Sequence, residues 1–117
     1  MADARKHPRH ETLIPAEADI FGRSVPVNVI EISLEGLRLR SKEFMPPDTL
    51  VAVTIMVGRN ITFSGWVIWV LDKFMPDGQV YHTGIKINSI TDAANRTIGI
   101  TEREALIQEL VSLGQKK

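Results

Sequence analysis

The chain's 117 residues, 44% apolar and 24% charged, suit one globular core and are too apolar for a disordered chain. Fourteen Lys and Arg offset fourteen Asp and Glu, which excludes a general field for DNA or another polyanion; any bound anion must be met by a local cluster. The absence of cysteine excludes disulfide scaffolds and Cys-based zinc sites.

Residues 1–12, MADARKHPRHET, carry charge and Pro8 with no apolar face, and read as a flexible basic arm ahead of one folded domain over 13–117. No apolar run follows the arm, so no secretory signal is expected. From Leu13 onward short apolar runs alternate with turn residues at 22–24, 34–36, 46–48, 58–60 and 76–78, the rhythm of an antiparallel meander. In Leu37-Arg38-Leu39-Arg40 the period is two, with leucines to one face and arginines to the other. Val51, Val53, Ile55 and Val57 form the next inward set. Ile61, Phe63, Val67, Trp69 and Leu71 follow, with Gly65 breaking the row as at a bulge or bend. The last strand spans roughly Val80 to Ile87.

Six such strands hide their edges by closing or by stacking, and the small core favours closure. The expected fold is all-β: a six-stranded antiparallel β-barrel with a C-terminal α-helix packed on it. Thr101 and Glu104 have capping-box spacing, Leu106, Ile107, Leu110 and Leu113 form an apolar stripe, and Gly114 suits a helix stop. The longest apolar stretch, Trp66 to Leu71, is far short of the about 20 residues a membrane span needs, so no membrane insertion and a cytoplasmic location are expected.

Two features could carry chemistry. Arg5-Lys6-His7-Pro8-Arg9 concentrates positive charge on a segment that Pro8 biases toward extended geometry, and flexible arginines beside a folded body can close over an anion. On composition alone, a solvated basic tail ranks ahead of that role. In Glu31-Ile32-Ser33-Leu34-Glu35-Gly36 a carboxylate, a hydroxyl and a backbone without Cβ meet in one turn. Taken alone it reads as an ordinary hairpin, with Ser33 bonding its own backbone and Gly36 at positive φ.

Together these features resemble the PilZ family, whose members sense the bacterial second messenger cyclic di-GMP. The resemblance lies in an Arg-x-x-x-Arg arm, here Arg5 and Arg9, followed by an Asp/Asn-x-Ser-x-x-Gly turn, here Ser33 and Gly36, in a barrel setting. Glu31 stands where the family has Asp or Asn, and Gly84 matches a glycine common in the last strand. The resemblance implies a receptor or adaptor, not an enzyme, with no catalytic residues and no cofactor. Its arm would close over cyclic di-GMP held by Arg5, Arg9, Glu31, Ser33 and Gly36, and a change of surface or assembly would reach an unidentified downstream protein in bacterial motility or biofilm regulation. A homodimer is one form such assembly could take. Guanidinium forks suit this ligand because they bind phosphate bidentately, pair with the guanine O6/N7 edge and stack on a base.

Secondary candidates are Lys6, Arg38, Arg40, Trp69 and Gly84. Trp66 and Trp69 are expected on opposite faces of one strand, with core packing ahead of base stacking as the role of Trp69. His7, His10 and His82 lack a third metal ligand at suitable spacing, so no metal site is expected. The alternative function is a divergent PilZ-like interaction module that does not bind the nucleotide. A nucleic-acid-binding barrel is disfavoured by the balanced charge and few aromatics.

Overall fold

The computed structural model describes residues 9–56 and 60–115. Six antiparallel strands, β1 (His10–Ile20), β2 (Arg23–Ile32), β3 (Gly36–Ser41), β4 (Leu50–Met56), β5 (Asn60–Met75) and β6 (Gly78–Thr91), precede one helix, α1 (Ile100–Gln115). The strands follow the order β1-β2-β3-β6-β5-β4, and β4 returns to β1 through a short antiparallel seam from Glu17↔Thr54 to Asp19↔Ala52 that closes the sheet on itself. Closure leaves one dry interior, so each strand needs only alternate apolar residues.

Phe63, Ile20, Ile32, Leu39, Ile55 and Ile61 are among the largest side chains sealed inside. Leu37 and Leu39 face inward and Arg38 and Arg40 outward, as the alternation predicts. Val51, Val53 and Ile55 also bury, while Val57 lies outside the described residues.

Several boundaries differ from the sequence expectation. The first strand begins at His10, so the last residues assigned to the arm already pair with β2. The β1–β2 turn is Phe21-Gly22, one residue earlier than expected, with φ of 50° and 77°. Positive φ at both positions gives the two-residue hairpin turn whose twist matches the strands. The last strand runs on to Thr91, pairing with β5 beyond Gly65.

The larger correction lies in β5. The row breaks at Gly65, where β6 carries the extra residue, Asn88, and again at Ile68, which has no partner between Val67↔Ile85 and Trp69↔Gly84. The second bulge resets the phase, so Val70 rather than Trp69 packs against the core and Leu71 is exposed. Trp66 and Trp69 therefore both face outward, contrary to the opposite faces expected of them.

Beyond β6, Asp92 organises the connector by accepting the N–H groups of Ala94 and Arg96 on Oδ1. The helix then starts at Ile100, with its cap two residues before the expected Thr101. Gly99 serves as N-cap: its carbonyl accepts the Arg103 N–H, and its own N–H reaches Glu102 Oε1 at 3.4 Å. That is the capping-box spacing moved two residues upstream. Leu106, Ile107, Leu110 and Val111 bury against the sheet, with β1 beneath; Leu113 is half exposed, and the helix continues past Gly114.

Candidate functional site

A cleft of about 260 Å³ opens on the outside of the sheet, between the β2–β3 turn and the outer faces of β3, β6 and β5. The turn forms because Ser33 replaces missing ladder partners: its Oγ accepts the N–H groups of Glu35 at 3.3 Å and Gly36 at 3.1 Å, while its own N–H donates to the Gly36 carbonyl at 2.9 Å. Ser33 is buried and its hydroxyl holds the loop's shape.

Gly36 does not adopt positive φ, which corrects the sequence reading. It is needed for close approach, because a Cβ there would stand 2.8 Å from the Ile85 carbonyl oxygen on the neighbouring strand.

At the mouth of the cleft Arg9, just ahead of β1, meets Glu31 of β2 at 3.4 Å. The arginine side chain is 44% exposed and the carboxylate 20%, so the contact is water-screened and worth about 0–1 kcal/mol. A multiply bonded anion can displace it at little cost.

The opposite wall is a cross-strand strip. Arg38 of β3, Gly84 of β6 and Trp69 of β5 stand in register. Trp69 lies so close over Gly84 that any Cβ there would enter its indole ring. The Arg38 guanidinium sits over the same indole, 5.3 Å from the ring centroid, within cation–π range. Arg38 Nη2 also lies 3.3 Å from His82 Nδ1. Arginine can only donate, so His82 accepts and its imidazole is neutral in this contact. Burial, then the cationic Arg38, Lys73 and Arg40, hold the His82 pKa below its ordinary 6.5, in keeping with that role.

Arg9, Glu31, Ser33 and Gly36, singled out in the sequence, thus line one cleft, and Arg38, Trp69 and Gly84 join them. Arg5 and Lys6 lie outside the described residues. Arg40 does not line this cleft and borders a separate groove with Ser41 and Lys42. Sequence reasoning missed Lys86, another cation on the lining, although its place between inward Ile85 and Ile87 marks it as outward-facing. It also missed the link from His82 to Arg38, for which no sequence signal exists.

Among known families, the PilZ domain matches residues 3–103. The chain belongs to the PilZ family. PilZ domains are receptor or adaptor modules of cyclic di-GMP signalling, not enzymes. The PilZ match includes both the Arg5–Arg9 arm and the Ser33–Gly36 turn. A solved structure, that of the Bacillus subtilis inhibitor of motility MotI/DgrA, has the same fold: TM-score 0.69 at 12% identity, over 99% of this PilZ chain. The chain spans 55% of that protein's length. No curated protein matches this PilZ sequence. Among the described residues, no helix is long and apolar enough to cross a membrane, and no group of three or more metal-ligating side chains stands together.

Proposed function

We propose that this protein is a cyclic di-GMP receptor built on a PilZ-type barrel, in which Arg5 and Arg9 close over nucleotide seated against the Ser33 turn. The observation that carries this reading is the meeting of Arg9, Glu31, Ser33 and Gly36 at one cleft whose far wall is an arginine held over a tryptophan ring. Phosphate draws Arg9 off Glu31, which is then free to accept guanine N–H groups. The tight turn lets the ligand approach the backbone at Gly36. Trp69 offers an indole for stacking, and Arg38 and Lys86 add charge opposite the arm.

Closure of the arm changes the surface or the assembly seen by a separate downstream protein, and the signal is the difference in that partner's affinity for the two surfaces. The neighbouring fold of an inhibitor of motility makes motility regulation the first place to look for the partner. No observation favours the alternative of a module that ignores the nucleotide.

Isothermal calorimetry with cyclic di-GMP tests the reading. Saturable heat is expected, with affinity falling about ten- to hundredfold in Arg5→Ala or Arg9→Ala, as the loss of one bidentate pair of about 1–3 kcal/mol requires. Absence of binding by the wild type, or wild-type affinity in both variants, rejects it.

A further inference from the structure

Arg38 is a long side chain on a solvent-facing strand position, where an arginine ordinarily keeps much of its rotamer freedom. Here it is held at two points, by Trp69, with Cζ over the indole ring, and by His82 through Nη2. His82 reaches it diagonally: the register pairs Arg38 with Gly84 and Arg40 with His82, so one side chain on β3 spans two positions on β6. The anchor is needed because the surroundings oppose it, with Arg40 on β3 and Lys73 on β5 adding positive charge around the imidazole. An acceptor at that point converts a repelling neighbourhood into a fixed one for the guanidinium. His82 itself does not line the cleft, and the Arg38 Nε–H is buried without a partner among the described residues.

We infer that His82 is a positioning residue of the nucleotide cleft: it holds the Arg38 guanidinium over Trp69, so that an incoming base or phosphate meets a cation and a stacking surface already in place. The inference rests on the receptor reading for its ligand, though not for the geometry. Its physical effect is preorganisation. Ordering a rotamer-rich side chain at the moment of binding costs about 0.5–1.5 kcal/mol, and an anchor set beforehand removes that cost. His82→Ala should therefore weaken cyclic di-GMP binding about three- to tenfold.

The test uses the full chain with Trp66→Phe, which leaves Trp69 as the sole tryptophan. Two quantities are read: cyclic di-GMP affinity by calorimetry, and acrylamide quenching of Trp69 without ligand. Expected are a rise in quenching in His82→Ala toward the level of Arg38→Ala, and near wild-type behaviour in His82→Asn, whose side-chain oxygen can accept where Nδ1 does. The double variant should bind no more weakly than Arg38→Ala alone. Wild-type quenching in His82→Ala, failure of Asn to restore either quantity, or additive losses in the double variant would each overturn the inference. If the parent protein binds no cyclic di-GMP, the receptor reading falls by itself, and the quenching series still decides whether His82 positions Arg38.

Discussion

Across the cleft, the β2–β3 turn and the β3–β6–β5 strip differ in where their polar atoms are spent. In the turn, the Ser33 hydroxyl, the Glu35 and Gly36 N–H groups and the Gly36 carbonyl are bonded to one another, and Gly36 packs against backbone. On the strip, Arg38 keeps a buried Nε–H without a partner among the described residues, and Gly84 packs against a side chain rather than backbone. The turn is therefore built for shape and the strip for contact. The same residue type, glycine, serves the fold on one side and the site on the other.

Alanine at the two glycines breaks or sharpens that contrast. Gly36→Ala places a methyl 2.8 Å from the Ile85 carbonyl oxygen, which cannot move without disturbing the β3–β6 ladder. A loss of about 1–3 kcal/mol is expected from urea unfolding midpoints. Ser33→Ala comes next, at about 1–2 kcal/mol in the same assay, because two N–H groups lose their acceptor in a part-buried turn. Gly84→Ala should cost about 1 kcal/mol or less, since the indole it meets can swing outward while the backbone stays paired. Its effect belongs in the site: Trp69 quenching by acrylamide should rise and cyclic di-GMP affinity fall. A Gly84→Ala protein as unstable as Gly36→Ala, with Trp69 unmoved, would erase the distinction between the walls.

Much of the turn was legible in the sequence because its logic is local. Ser33 and Gly36 stand three apart, and the inward leucines at 37 and 39 fix the face of β3. Membership in a known motif located Arg9 and Glu31, which are 22 residues apart in the chain. The strip was less legible because it depends on registers among three strands. The period of two carries Trp69 inward until the unpaired Ile68 resets it, and that bulge is a relation between β5 and β6 that no window of β5 contains. The helix start shows the same limit: Gly99 with Glu102 and Thr101 with Glu104 have equal spacing, and only the path of the connector selects the first. For His82 the sequence offers a lone histidine in a strand, and its partner is set entirely by pairing across β3.

The smallest effect expected is a pH dependence confined to the strip. His82 has its pKa held below 6.5 first by burial and then by Arg38, Lys73 and Arg40, so between the two values the unfolded chain binds more protons than the folded one. Stability must then rise with pH: the contribution is complete above about 6.5 and is lost as pH falls toward and through the lowered folded value. Thermal melts of the wild type and His82→Asn isolate this group, because every other titrating residue is common to both. The wild type should lose stability relative to the variant on acidification, and Trp69 should become more open to acrylamide over the same range, since a protonated imidazole cannot accept from Arg38. Parallel melting profiles would remove His82 from the account. In Arg38→Ala a neighbouring cation is gone, so the histidine should titrate closer to its ordinary value and the acid loss should shrink; a shift the other way would mean that the guanidinium stabilises the charged imidazole, against the direction of the contact.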